Sequence, residues 1–138
     1  MIERYSDPVQ TYIWSTKNKL KLWQDVELAV IQARVMAGLV SREDFDEISH
    51  NLTLLPVDIA LWEKLELEMS HDLNAFVKER QLKLRESLRK LFHHQITSYD
   101  TEEPAFALIL LEAIQHILGR NCLSKKLWQS KMVPQLAH

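Results

Sequence analysis

Turn-forming and cross-linking residues are scarce in this sequence. Among 138 residues there are two glycines, four prolines and one cysteine. Sheets need turns between their strands, and most tight turns need glycine or proline, so this scarcity predicts an all-α fold. The single cysteine, Cys122, excludes a disulfide within the chain. Together with a first segment that does not have the pattern of a signal peptide, it leads us to expect a cytoplasmic location.

An excess of charge of one sign is also missing. The 17 Lys and Arg residues face 19 Asp and Glu residues, which gives a formal net charge of −2. A dedicated nucleic-acid-binding domain would carry a strong basic excess, so we expect no nucleic-acid partner. The segment 78–90 is locally basic, and we interpret it as a solvated face; the alternative is a positive field for an anionic ligand. Its basic residues are Lys78, Arg80, Lys83, Arg85, Arg89 and Lys90.

No apolar run is long enough to cross a bilayer. The longest, at 105–118, is interrupted by Glu112, Gln115 and His116, so we expect no membrane contact. Its apolar residues lie almost all the way around a helix, which predicts a buried helix. A single chain of this size supplies few neighbours for such a helix, so we expect a homo-oligomer or a missing remainder of the protein.

Hydrophobic periodicity and capping residues predict the individual helices. Asp7 and Pro8 open a short helical turn, and Ser41 caps a helix over 45–51. A long helix over 15–39 has two apolar faces, which end in Met36 and Leu39. The other predicted helices cover 57–69 after Pro56, 73–91 with a bend near Gln81, and a last segment that follows Asp100 and has Pro104 in its first turn. Gly38 and Gly119 are predicted to stop the helices that they follow.

The segment 91–100 gathers polar side chains between a basic stretch and an apolar one. Thr97 and Ser98 precede the acidic Asp100, which is typical of a helix N-cap. The alternative is a ligand site that includes His93 and His94, because backbone N–H groups and hydroxyls at a helix start can both bind an anion. No His-x3-His or cysteine-containing spacing indicates a metal site.

Four pieces of the sequence, taken in order, resemble the N-terminal part of the adenylosuccinate lyase family, in the fumarase/aspartase superfamily. They are Met-Ile-Glu-Arg-Tyr-Ser at 1–6 followed by Trp14-Ser15 and Asn18-Lys19, Ser-His-Asp-Leu-Asn-Ala-Phe at 70–76, His-His-Gln-Ile-Thr-Ser-Tyr-Asp at 93–100, and Ala-Phe-Ala-Leu at 105–108. The resemblance covers about residues 1–118. It implies an N-terminal helical domain over 1–98 and the truncated start of the family's central helical bundle over 99–138.

The resemblance also implies site residues and a reaction. His71 matches a histidine that supports acid catalysis at the leaving nitrogen. Arg4 and Tyr5 match residues that hold a nucleotide phosphate, and Asp72, His93, Thr97 and Ser98 match other substrate contacts. The implied reaction is β-elimination of fumarate from adenylosuccinate, which yields AMP, and from succinylcarboxamide ribotide. It needs no cofactor.

The sequence departs from the family pattern in four ways. Gln95 replaces a glycine, and Tyr99 replaces a small residue. The family's Thr-His-Gly-Gln segment, which carries the general acid, and its Gly-Ser-Ser loop, which carries the serine base, are not recognisable here. Because family active sites are assembled from several subunits of a tetramer, we expect this chain to be inactive alone. The alternative is a non-enzymatic helical module that keeps the fold and binds a partner through 105–118.

Overall fold

The computed structural model describes residues 6–132, and the side chains of residues 6–120 within that range. In this part of the chain the helices are α1 Pro8–Ile13, α2 Thr16–Met36, α3 Arg42–Leu54, α4 Ile59–Met69, α5 Asp72–Leu82, α6 Glu86–Arg89 and α7 Ser98–Met132. No strand occurs between residues 6 and 132. The predicted all-α fold is therefore confirmed.

Side-chain caps begin the first helices where the sequence predicts them. The Asp7 carboxylate accepts hydrogen bonds from two N–H groups of α1, and Pro8 stands at the first helical position. The Ser15 and Ser41 hydroxyls accept from Asn18 N–H and Asp44 N–H at the starts of α2 and α3. Each cap satisfies a backbone donor that has no partner within its own helix.

Several of the predicted helix boundaries, both starts and ends, are wrong. Asp58, whose carboxylate accepts from Leu61 N–H, caps α4 two residues after Pro56, so this helix begins at Ile59. The bend expected near Gln81 is a break between α5 and α6. Gly38 follows the end of α2 with φ +73°, which only glycine adopts without strain. Gly119 does not stop its helix, since α7 continues to Met132 and nothing there requires a positive φ.

Helix α2 is the centre of the packing, because it contacts α1, α3 and α7, while α4 packs on α5. Three aromatic rings connect α2, α5 and the loop after α6. The ring centroids of Trp23 and Phe76 are 5.5 Å apart, and those of Phe76 and Phe92 are 6.1 Å apart. The fully buried aliphatic residues around them include Leu20, Ile31, Ile48, Leu52, Leu73 and Leu88. Met36 and Leu39, which were predicted to be core residues, are 86% and 76% exposed. The buried residues of α2 include two polar ones, Asn18 and Glu27, which a search for apolar residues alone misses.

Helix α7 is buried on one side only. Ala105, Ile109 and Ala113 face the core, whereas Phe106, Leu111 and Ile114 are about half exposed, at 49%, 50% and 51%. The prediction of a buried helix is therefore wrong for the chain alone. Pro104 lies beyond the first turn, since α7 begins at Ser98, and it removes the helical hydrogen bond to the Asp100 carbonyl. None of the helices in the described residues is long and apolar enough to span a membrane.

A carboxylate at the start of α1 ties that helix to α7. Asp7 accepts from His116 Nε2 at 2.8 Å and also from the Arg120 guanidinium. The hydrogen bond from His116 is the largest cause that lowers the pKa of Asp7 from 3.8 to about 2, and N–H groups of α1 and Arg120 add to the effect.

The basic segment 78–90 contains a fully buried guanidinium. Arg80 pairs with Glu79, which is also fully buried, and donates to Gln24 Oε1 at 3.0 Å and to the carbonyls of Leu55 and Pro56 at 2.8 and 3.1 Å. The prediction of a solvated face is therefore wrong at Arg80, although Lys78, Arg85 and Lys90 are exposed. The buried charge fastens α5 to α2 and to the loop before α4.

Candidate functional site

An open groove of about 830 Å³ lies where α4 ends, α5 begins and the first turn of α7 passes beside them. It is lined by Glu66, Leu67, Ser70, His71, Asp72, Ser98, Tyr99 and Glu102. Two segments that are 27 residues apart in the sequence therefore meet in one concave surface.

The turn before α5 places His71 in this groove. Ser70 has φ +52°, which ends α4 and turns the chain directly into the next helix. His71 is then the N-cap of α5, and its Nδ1 accepts a hydrogen bond from Asn74 N–H at 3.3 Å. Its Nε2 lies 3.4 Å from Ser98 Oγ. The imidazole is thus fixed by the helix on one side and faces a hydroxyl on the other.

Asp72, the first residue of α5, is held by three neighbours. Its carboxylate accepts from the N–H of Leu73 at 2.8 Å and lies 3.4 Å from Lys19 Nζ. Its backbone carbonyl accepts from Trp62 Nε1 at 3.0 Å. The Lys19 ammonium lies 4.6 and 5.2 Å from the ring centroids of Trp23 and Trp62, so cation–π contacts also hold it beside Asp72.

His93 is held by Glu27, a fully buried carboxylate on α2. His93 Nδ1 lies 2.7 Å from Glu27 Oε1, and the His93 backbone N–H donates to Oε2 at 3.1 Å. The Thr101 hydroxyl donates to Oε1 at 2.6 Å. His93 is not among the residues that line the groove. His93 is linked to the groove only indirectly. Its partner Glu27 also binds Thr101, and Thr101 lies three residues from the groove residue Ser98 on the same face of α7.

Helix α7 begins at Ser98, so Thr97 occupies the N-cap position, one of the two predicted for the segment 91–100, and the capping side chain is that of Asp100. The Thr97 N–H donates to Asp100 Oδ2 at 2.7 Å, and the Asp100 N–H donates to the Thr97 carbonyl at 3.1 Å. Asp100 therefore caps the helix that Thr97 precedes. Thr97 is exposed and outside the groove lining, whereas Ser98 lines the groove.

Comparison with known proteins relates the sequence to one enzyme. No family model matches the chain. It is 34% identical over 113 residues to adenylosuccinate lyase of Thermotoga maritima and 32% identical over 113 residues to that of Bacillus subtilis, which is 82% of this chain and 25% of each relative. It is 36% identical over 121 residues to adenylosuccinate lyase of Aquifex aeolicus, which is 86% of this chain and 27% of that protein.

The chain is related to a part of adenylosuccinate lyase. It spans about a quarter of the length of the curated relatives that it matches. The chain is therefore similar to part of adenylosuccinate lyase, as the resemblance of its motifs predicted.

One departure from the lyase motif has a clear conformational meaning. Gln95 has φ +51°, and His93, two residues earlier, has φ +58°. The family pattern has glycine at the position of Gln95, and glycine is the residue that adopts a positive φ most readily. The loop therefore keeps the backbone shape that the pattern requires, at a steric cost of about 1–2 kcal/mol for a residue with a Cβ.

The predicted lyase site residues fall into three groups. His71, Asp72 and Ser98 come together in the groove, and His93 and Thr97 lie outside its lining. Arg4 and Tyr5 lie outside the described residues. Sequence reasoning missed Glu27, Lys19 and Glu102. Glu27 is an acid within the apolar stripe of α2, a signal that could have identified it as a buried polar partner.

The groove offers an acid–base group and a hydroxyl but has a negative lining. Glu66, Asp72 and Glu102 are carboxylates, and the lining contains neither lysine nor arginine. An anionic ligand therefore needs cations from elsewhere. No cluster of three or more His, Cys, Asp or Glu residues that could hold a metal ion is found among the described residues.

Proposed function

We propose that this chain supplies one wall of the active site of an adenylosuccinate lyase. The enzyme would eliminate fumarate from adenylosuccinate and from succinylcarboxamide ribotide. The observation that carries the proposal is the convergence of His71 and Ser98, whose side-chain atoms lie 3.4 Å apart in the shared groove. The family motifs assign His71 to acid chemistry, and they assign hydroxyl donation to Ser98 together with Thr97.

In this proposal His71 is the catalytic residue and supports protonation of the departing nitrogen. Ser98 donates its hydroxyl to the anionic substrate, next to the positive end of the α7 dipole. Asp72, His93 and Thr97 complete the contacts on this side, either directly or by shaping the loop.

Arg4 and Tyr5 would bind the nucleotide phosphate. A guanidinium suits this task because its planar fork of donors matches phosphate oxygens. The positive charge of Arg4 would also offset the negative lining of the groove, where three carboxylates repel an anionic ligand.

We also propose that the chain alone has no lyase activity. The motifs that carry the family's general acid and serine base are not recognisable in it, and family sites draw on several subunits.

The half-exposed apolar face of α7, which includes Phe106, Leu111 and Ile114, supports assembly into a homo-oligomer, a tetramer in the complete enzyme. In the proposed domain division, 1–98 forms the N-terminal domain and 99–138 begins the bundle. The composition, with one cysteine, supports a cytoplasmic location.

A thermal-shift titration with AMP tests whether the nucleotide site is present. We expect AMP to raise the melting temperature, because a ligand at 100 times its Kd stabilises the folded state by about 2.7 kcal/mol. The variants Arg4→Ala and Ser98→Ala should lose this shift, whereas Lys64→Ala, on an exposed face of α4, should keep it. An equal shift in all four proteins would contradict the assignment of the site.

A fumarate assay tests the proposed inactivity. Purified chain incubated with adenylosuccinate should release no fumarate above the uncatalysed rate. Release that disappears in His71→Gln would show that this chain carries a complete active site, and the proposal of a partial site would be wrong.

A further inference from the structure

In both His71 and His93 the ring nitrogen Nδ1 contacts a neighbouring group, but that group is a hydrogen-bond donor at His71 and an acceptor at His93. His71 Nδ1 faces a donor, the backbone N–H of Asn74, at 3.3 Å. His93 Nδ1 faces an acceptor, the Glu27 carboxylate, at 2.7 Å. A neutral imidazole carries one N–H and one lone pair, so the neighbour of one nitrogen determines what the other nitrogen presents.

At His71 the Asn74 N–H needs a lone pair on Nδ1. The single ring proton of the neutral imidazole must then lie on Nε2, the atom 3.4 Å from Ser98 Oγ. The N-cap position of α5 fixes this arrangement, because Asn74 N–H is one of the helix's first donors and has no carbonyl partner within the helix. His71 therefore directs an N–H into the groove.

At His93 the arrangement is reversed. Glu27 is fully buried, and both its oxygens already receive donors, from the His93 backbone N–H at 3.1 Å and from the Thr101 hydroxyl at 2.6 Å. A carboxylate oxygen that already receives other donors acts as an acceptor for the next contact too, so we assign the ring proton of His93 to Nδ1. The Nε2 of the neutral ring is then unprotonated.

We propose that the fold holds the two histidines in opposite neutral tautomers, with Glu27 as the positioning residue for His93. His71 presents Nε2–H, and His93 presents an unprotonated Nε2. The three hydrogen bonds of Glu27 join α2, the loop after α6 and the first turn of α7, and two of them hold His93 at φ +58°. The assignment of roles rests on the proposed function: His71 is arranged to donate a hydrogen bond from Nε2, and His93 to accept a proton or a hydrogen bond at Nε2.

Long-range ¹H–¹⁵N correlation spectra of the ¹⁵N-labelled, ligand-free chain test this directly. They are recorded at a pH where a titration of the same signals shows both rings neutral, and His71→Gln and His93→Gln assign the signals. We expect a protonated Nε2 with a bare Nδ1 at His71, and a protonated Nδ1 with a bare Nε2 at His93. The same tautomer at both residues would overturn the proposal.

Variants separate positioning from folding. In Glu27→Gln the side chain offers one acceptor oxygen and an NH₂ donor, so His93 should lose its preference for Nδ1–H while His71 keeps its tautomer. Thr101→Val removes only one donor to Glu27 and should leave the His93 tautomer unchanged, as should the control Glu63→Gln on the exposed face of α4. A His93 that keeps Nδ1–H in folded Glu27→Gln would show that Glu27 does not set its tautomer. If Glu27→Gln does not fold, the wild-type spectrum decides alone.

The test separates this proposal from the proposed function. The tautomers are read without ligand, whereas AMP binding is measured in the titration described above. Opposite tautomers in a chain that does not bind AMP would support the present proposal and count against the proposed function. Identical tautomers in a chain that binds AMP would do the reverse.

Discussion

Replacing the buried arginine of α5 should destabilise the fold strongly. Arg80→Met keeps most of the side-chain volume but removes the main partner of the buried Glu79, whose carboxylate then keeps the Asp58 N–H at 3.1 Å and Lys83 Nζ at 3.8 Å. It also removes the donors to Gln24 Oε1 and to the carbonyls of Leu55 and Pro56. Removing one member of a buried ion pair typically costs about 3–5 kcal/mol, which is a large part of the 5–15 kcal/mol that stabilises an ordinary domain.

Urea unfolding followed by circular dichroism measures this loss. With a slope of about 1–3 kcal/mol per molar urea, the midpoint should fall by roughly 1–5 M. The matched control is Arg85→Met in the next segment. Arg85 contacts Asp44 and Glu47 at 3.1 and 2.8 Å but is 52% exposed, so its loss should cost at most about 1 kcal/mol. Equal midpoints for the two variants would refute the view that burial makes Arg80 indispensable.

Three further predictions address the loop, the first helix and the last one. Gln95→Gly should keep or raise the urea midpoint, because relief of about 1–2 kcal/mol of left-handed strain exceeds the roughly 0.5–1 kcal/mol entropic cost of glycine; a clear fall would contradict the strain. Because the pKa of Asp7 falls from 3.8 to about 2 on folding, its stabilisation is present above pH 3.8 and disappears as the pH drops towards 2. Asp7→Asn should therefore weaken the pH dependence of the free energy of unfolding between about pH 2 and 3.8. An unchanged pH dependence would count against the His116 contact. Ile114→Glu, on the half-exposed face of α7, should lower the mass measured by light scattering without changing helicity, whereas an unchanged mass would exclude this face from any assembly.

Much of the helical framework can be predicted from local chemistry. Asp7, Ser15 and Ser41 act as caps because each satisfies a donor of the helix that follows, which depends only on nearby residues. Gly38 ends its helix for an equally local reason, its positive φ. Gly119 shows the limit of the rule, since a glycine can also lie inside a helix at a cost of about 1 kcal/mol.

The candidate site could be predicted only in part. The motif resemblance placed His71 and Ser98 in one site, and both line the groove. It could not place His93, because the position of that ring depends on Glu27 from a distant helix and on a left-handed backbone. Periodicity also could not show that Arg80 is buried, since a charged residue enters a core only when its partners, here Glu79 and loop carbonyls, are arranged by tertiary packing.

The central claim is that His71 and Ser98 form one wall of a nucleotide site. Backbone amide spectra of the labelled chain during a titration with AMP test it most directly. We expect saturable shifts concentrated at residues 70–73 and 97–102, and we expect these shifts to disappear in Arg4→Ala. A second cavity lies between α2 and the loop before α4 and is lined by Leu20, Gln24 and Pro56, among others. The absence of shifts at high AMP concentration, or shifts concentrated at that cavity, would contradict the assignment of the nucleotide site.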